Sequence, residues 1–371
     1  MTKAVHRKHA TAIAIAIALA AISGAGAAQA QSQLTVYGLI DAALAHVDNT
    51  DAAGHSVTKM PSLSGSLPSR LGFRATEDLG GGLAAIFTLE SGFNPDAGTL
   101  GQGGRIFGRQ AWVGLHGAWG TLQLGRILNM TYLATAKSDV LGPNLFSINS
   151  IDLYLPNARS DNAIGYLGAF DRWSFGATWS FGRDGSAAGG PSATGCAGEV
   201  PGNAKACRQY TALLGYDAQT YGITATYDKL YGNTGAAGGL TSSADFDRRV
   251  TVNGYAMIGA TKVGAGVIDR KTLAAPGVVE SDLYYLGASV PVAAALTLDA
   301  QIARKDVKHS PDDTNMAVAR LTYALSRRSA VYAGIGRMDN HGAAAVALDA
   351  GGTVAAGKAQ SGLMAGLRHA F

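Results

Sequence analysis

Four arginines, Arg70, Arg74, Arg105 and Arg109, fall in one short part of the chain, and the first two are spaced to share a face of a strand. Leu71, Phe73 and Ala75 alternate with Arg70, Arg74 and Thr76, so one face is apolar and the other carries cations. A row of guanidinium groups on a wetted wall steers and filters anions. Little else in the chain points to catalysis. There is no G-x-S-x-G nucleophile elbow and no phosphate-binding P-loop. His46, His55, His116, His309, His341 and His369 are dispersed, none at a spacing that brings a second ligand beside it, so neither a metal nor a cofactor is expected. Glu77 and Asp78 form an acidic pair, but at a tight turn, where solvated carboxylates are commonplace. Cys196 and Cys207 lie in a segment rich in Gly, Ala, Ser and Pro and lack the C-x-x-C spacing. In an oxidising compartment a disulfide closing an external loop is expected, with two free thiols the weaker alternative.

The elements that must position these residues follow from composition and punctuation. Lys3, Arg7 and Lys8 precede an apolar run, and Ala28-Gln29-Ala30 fits the cleavage rule of a secretory signal, so residues 1–30 read as a signal peptide and the mature domain as residues 31–371. Removing three of the 30 basic residues leaves the mature chain near neutral, and the basic balance is no argument for nucleic acid. No later stretch supplies the roughly 20 consecutive apolar residues of a membrane helix. With 50 glycines and 10 prolines, the chain reads as many short strands and turns.

Taking Gly, Asn, Asp and Pro clusters as boundaries, strands are predicted near 33–46, 69–77, 82–92, 105–116, 120–127, 160–169, 172–181, 208–217, 221–230, 247–259, 262–270, 281–290, 295–304, 314–324, 329–338 and 359–371, sixteen in all. Every second connection is a tight turn, such as 170–171, whereas most of the others are long. Alternation of apolar and polar residues alone fits a soluble sandwich or a membrane barrel, but tight turns on one side and long loops on the other are what a transmembrane barrel requires. Tyr221, Ile223, Ala225 and Tyr227 share one face and Thr224, Thr226 and Asp228 the other. The tyrosines suit an interfacial girdle, as they would any half-buried antiparallel strand.

The stretch from Ser69 to Arg126 contains SRLGFRATEDLGGGL, AAIFTLESGF, FGRQAWVGL and GTLQLGR. It resembles the general porin family of Gram-negative bacteria of the Neisseria, Burkholderia and Comamonas type. Matching pieces occur at LTVYGLID (residues 34–41), LGASV (286–290), LTYALSRR (321–328) and the terminal GLRHAF (366–371), so the likeness spans the mature chain. The resemblance implies an all-β fold: a 16-stranded antiparallel transmembrane barrel whose third external loop, residues 128–159, folds inward and narrows the bore. Arg70, Arg74, Arg105, Arg109 and Arg159 would line the constriction wall, opposed by Lys137, Asp139 and Asp152 on the loop; each arginine taken singly also fits a solvated loop-end charge. Arg126 shares a face with Leu122 and Leu124 and would lie at a subunit interface. Phe371 would serve as a signal to the outer-membrane assembly machinery or as a girdle residue, and both roles can hold together. The implied partners are two further copies in a homotrimer, outer-membrane lipid and lipopolysaccharide, and small hydrophilic solutes and ions. The expected function is passive diffusion through a water-filled channel in the outer membrane, with weak anion preference. A substrate-specific channel, a surface adhesin and a barrel enzyme are the alternatives.

Overall fold

The computed structural model describes residues 33–62, 65–183 and 195–371; the expected signal peptide lies outside them. Sixteen antiparallel strands build the wall. In chain order they are β1 (Gln33–Val47), β2 (Arg70–Gly80), β3 (Leu83–Asn94), β4 (Gln110–Gly117), β5 (Gly120–Leu128), β6 (Arg159–Phe170), β7 (Trp173–Ser180) and β8 (Gln209–Ala218). The remainder are β9 (Tyr221–Tyr231), β10 (Phe246–Ile258), β11 (Thr261–Ala274), β12 (Gly277–Ala293), β13 (Leu296–Val307), β14 (Thr314–Ala324), β15 (Ser329–Asn340) and β16 (Gln360–Ala370). Each pairs with its sequence neighbours, and β1 closes the sheet: its first half runs beside β2, from Gln33 opposite Thr76 to Leu39 opposite Arg70, and its second half beside β16, from Leu39 opposite Ala370 to Val47 opposite Gly362. Gly38 and Phe371 exchange both backbone hydrogen bonds at 3.0 Å, and the Phe371 ring covers the space a Gly38 side chain would fill. A closed sheet leaves no edge, which is the condition for carrying backbone through hydrocarbon.

Side-chain parity sorts the wall into two faces. Leu34, Val36, Leu44, Ile223, Leu286, Ile302, Ile335, Leu363 and Leu367 all point outward and are exposed. A contiguous apolar exterior on that scale belongs against lipid. Inward positions carry Asp41, Thr88, Glu90, Thr178, Thr211, Asp228, Arg249, Gln301 and Arg320, all buried inside the barrel. The turns at one end are tight; that between β2 and β3 passes through Gly80, Gly81 and Gly82, all at positive φ, where a side chain would be strained. At the other end most connections are long, and two of them add short strands, Val57–Lys59 against β1 and Thr99–Leu100 against β3.

Departures of more than three residues from the expected boundaries fall at two places. Strand β4 begins at Gln110 and not at 105, because residues 101–108 form an irregular loop with Gln102, Gly103 and Gly104 at positive φ. The ten-residue loop expected between residues 270 and 281 is instead a continued hairpin: Lys271 pairs with Glu280, and Ala274 with Gly277, around a turn at Ala275-Pro276. Cross-strand attraction between Lys271 Nζ and Glu280 Oε1, 2.6 Å apart, accompanies this extension.

The barrel is not empty. Leu141, Leu145, Phe146, Ile148, Ile151 and Leu155, all from the segment between β5 and β6, form one apolar cluster with wall residues Ile268, Leu283, Tyr285, Met316, Val318 and Met338 and with Leu348. Burying a side chain of this size contributes about 1.5–3 kcal/mol, so the segment is held inside by its own sequence.

Candidate pore constriction

The inward segment, residues 129–158, leaves β5 and returns to β6 with its base closed by a hydrogen bond from Asn129 N to Ala158 O (3.1 Å). It opens with helix α1 (Met130–Ser138), whose cap is Asn129, its side chain accepting from Tyr132 N at 3.3 Å. A second short turn, α2 (Ile148–Ile151), is capped by Ser147. Helix α1 lies along the inner face of β8–β11. Its C-terminal end comes so close to β11 that a Cβ on Gly264 would stand 1.9 Å from Ser138 O, so only glycine admits the helix there.

Polar anchors complete the attachment. The buried Asp228 carboxylate on β9 accepts hydrogen bonds from Thr131 Oγ1 (2.8 Å), Gln209 Nε2 (2.9 Å), Asn129 Nδ2 (3.3 Å) and the Tyr154 hydroxyl. Arg249 on β10 forks onto Asp152, 2.9 and 3.1 Å, and also reaches Asp247 at 3.0 Å. Gln301 on β13 donates to Asp139 (2.9 Å), Ser138 and Tyr285 join hydroxyls at 2.6 Å, and Arg320 on β14 donates to Leu141 O at 3.0 Å. Burial alone would raise the Asp152 carboxyl, yet the Arg249 and Arg270 guanidinium groups hold it well below its usual range. For Asp139 burial wins over the Gln301 hydrogen bond and pushes the carboxyl up.

Asp139 and Asp152 were expected across the bore from the arginine wall; their side-chain partners are Gln301 on β13 and Arg249 on β10. Lys137 lies 3.4 Å from Asp217 on β8. Sequence parity could not foresee this, because which wall a loop carboxylate meets depends on how the loop's apolar residues seat.

The five arginines separate into three environments. Arg70 and Arg74 both project inward from β2, Arg70 half-buried and Arg74 exposed, with the Arg74 guanidinium 4.9 Å over the Tyr37 ring. Neither forms a salt bridge among the described residues. Arg109, immediately before β4, is only 4% exposed; its Nε donates to Glu90 Oε1 at 2.6 Å, and Tyr37 occupies Glu90 Oε2 at 2.9 Å. Arg159, 1% exposed, donates to Arg109 O (2.8 Å), Pro156 O (3.0 Å) and Asn157 Oδ1 (3.3 Å), with its guanidinium 5.9 Å from the centre of the Tyr132 ring. No carboxylate neutralises it among the described residues. Arg105 lies off the wall, in the loop before β4, bonded to Gln102 O at 2.7 Å. Arg109 and Arg159 therefore brace the base of the inward segment, and the lumen-facing pair is Arg70 and Arg74.

Several participants escaped the sequence reading, among them Glu90, Asp228 and Arg183. Glu90 alternates with outward-facing Leu89 and Phe87, a mid-strand carboxylate whose parity marks it as inward. Asp228 was read on the polar face of its strand without a role. Arg183, which donates to Arg159 O (2.9 Å) and stacks 4.8 Å from the Tyr154 ring, carried no signal short of the fold itself. Arg126 stands on the outer face opposite Ala111, ion-paired with Asp161 and donating to Gly108 O at 2.7 Å. Cys196 and Cys207 are joined in a disulfide.

A closed barrel of sixteen strands with an apolar outside, a polar inside and a loop folded into the bore is a membrane channel of the diffusion-pore class. The family profile described as Gram-negative porin matches residues 11–343, and the chain belongs to that family. Outer membrane porin protein 32 of Delftia acidovorans is 31% identical over 366 residues, covering 91% of this chain and 94% of the relative. An outer membrane porin of Bordetella pertussis is 30% identical, covering 81% and 87%. Among solved structures, the anion-selective porin from Comamonas acidovorans superposes with a TM-score of 0.75 at 26% identity, covering 92% of this chain and all of that one. OmpT of Vibrio cholerae, solved in a trimer form, shares the fold at a TM-score of 0.65 and 14% identity. The chain is thus an outer-membrane porin, a passive channel for small hydrophilic solutes.

Proposed function

We propose that the channel passes small anions in mild preference to cations, and that it works as a homotrimer joined through the β1–β5 side. The observation that carries the selectivity is the pairing pattern at the bore: Arg70 and Arg74 face the lumen without a carboxylate of their own, since Glu90 is engaged by Arg109 and Tyr37. Arg159 behind them adds a charge that forms no salt bridge among the described residues. Their summed field raises the local concentration of anions and depletes cations, and in a confined bore it decides passage as much as width does. The trimer reading is supported by Arg126, whose pairing with Asp161 removes an outward charge from the lipid boundary. Export by the residue 1–30 signal, recognition of Phe371 by the assembly machinery and contact with lipopolysaccharide belong to the same reading.

The test is the reversal potential of the purified protein in a planar bilayer under a potassium chloride gradient. The expected result is a potential of the sign for chloride preference, moving toward zero or past it in R70Q/R74Q. An unchanged potential in that variant would leave the channel in place and discard these residues as its filter.

A further inference from the structure

Inside the barrel, among the long loops, lies a cavity of about 390 Å³. One side of it is the end of the inward segment, residues 150–154, and another is the connection between β15 and β16; the wall between them carries Arg183, Asp247, Arg249 and Arg270. Neither Arg70 nor Arg74 lines it. The β15–β16 connection is fastened over the inward segment: Ser150 Oγ donates to Leu348 O at 2.6 Å, Ala350 N donates to Leu145 O at 3.1 Å, and Lys59 ion-pairs with Asp349. Arg249 is engaged by Asp152 and Asp247. Arg270 gives Nε and Nη2 to Asp247 and keeps Nη1 without a partner among the described residues. Lys305 on β13 is close by. It shares the inward face with Gln301 and Ala303; Leu283 stands opposite it and Ile268 beyond, one inward position from Arg270. Arg270 and Arg249 repel its charge and Asp152 attracts it, yet it forms no hydrogen bond or salt bridge among the described residues.

An ammonium group with three donors and no acceptor in reach is a place for an anion. The cavity offers more than charge, because Leu153 and Val346, both half-buried, and Leu240 also line it. Chloride would satisfy Lys305 and leave these side chains wet; a neutral apolar solute would cover them and leave the lysine unpaired. The volume falls within the roughly 300–1,000 Å³ of small-molecule sites. We infer that the cavity binds a small organic carboxylate with a compact hydrocarbon body, its carboxylate held by Lys305 and Arg270 and its body against Leu153, Leu240 and Val346. Such a solute dwells in the bore and obstructs smaller ions, whereas a hydrophilic anion passes. The site is separate from Arg70 and Arg74, so it goes beyond the selectivity reading and does not depend on it.

Block of chloride current through the purified protein in a planar bilayer tests it, with benzoate, acetate or benzyl alcohol added to both sides at constant potassium chloride. Benzoate is expected to reduce the current along a saturable curve whose midpoint lies at least tenfold below that of acetate, and benzyl alcohol to leave the current unchanged. K305Q is expected to raise the benzoate midpoint at least tenfold, each channel being read against its own benzoate-free current. L153N should raise it several-fold and bring benzoate and acetate closer together. Block without saturation, equal midpoints for benzoate and acetate, or an unchanged midpoint in K305Q would overturn the site. So would a midpoint that moves in R70Q/R74Q and not in K305Q, which would put the carboxylate at the arginine wall. Should K305Q not fold, R270Q, which leaves Asp247 paired with Arg249, is read against the same criteria. The reversal potential, recorded on the same channels, separates a failure of the anion preference from a failure of this site.

Discussion

Arg74 and Arg109 carry the same side chain with opposite consequences for stability. Removing the exposed Arg74 should alter unfolding by less than about 0.5 kcal/mol. R109Q leaves Glu90 buried beside Tyr37 without its cation and should cost about 3–5 kcal/mol, read as the urea midpoint of heat-modifiable gel mobility. D152N should release the inward segment from Arg249, which keeps Asp247, and loosen that segment, visible as noisier and larger single-channel steps. The Asp152 carboxyl is depressed from its ordinary 3.8. Its contribution to docking is therefore complete above that value and is lost only as pH falls through the lower folded one. Asp139, raised by burial, works in the opposite sense, and its penalty is relieved as pH falls through its raised value. Conductance at constant chloride should consequently hold from pH 7 down to about 4; loss of the open level within that window would show that neither the Asp152 anchor nor the relief at Asp139 holds the segment. At this scale the sequence was only partly legible. Parity placed Arg70 and Arg74 inward, but whether an arginine is exposed or buried depends on Glu90, Tyr37 and Tyr132, which come from other elements.

Strands were far more legible than loops, because a period of two is a local property and a loop's seat is not. The parity read from Tyr221 to Asp228 is the one found, with the tyrosines outward and Asp228 inward. The hairpin of β11 and β12 was missed because Ala274, Ala275 and Pro276 read as loop, while its stability comes from cross-strand pairs that no single segment reveals. Helix α1 depends on Gly264 for its close approach: a Cβ there meets a backbone oxygen, not a movable side chain. G264V should displace α1 into the bore and reduce unit conductance by a measurable fraction, with the barrel still heat-modifiable on gels. Cys196 and Cys207 pack in their own apolar cluster with Leu230, Ala236 and Leu240. C196S/C207S should cost about 2–4 kcal/mol of local loop stability. That variant should be nicked faster by trypsin between β7 and β8 while conducting as before.

The whole molecule is held closed at one seam, where β1 divides its pairing between β2 and β16. Phe371 contributes both backbone bonds to Gly38 and a ring over it. F371A should lower the yield of folded barrel in membranes more than it lowers the stability of what does fold, checked by comparing the folded fraction with the urea midpoint. The same seam sets Gln33, the first described residue, and Phe371 on one rim. Phe371 stands opposite Gly38, and Gln33 lies five residues further along β1, about 17 Å at strand spacing. In a chain engineered to start at Gln33, that residue and Phe371 would be near enough to be spliced by a short flexible peptide, and the cylinder has no privileged first strand once they are. A circularly permuted chain, reopened in the long connection between β15 and β16, would present the same ring of pairings in a new order of synthesis.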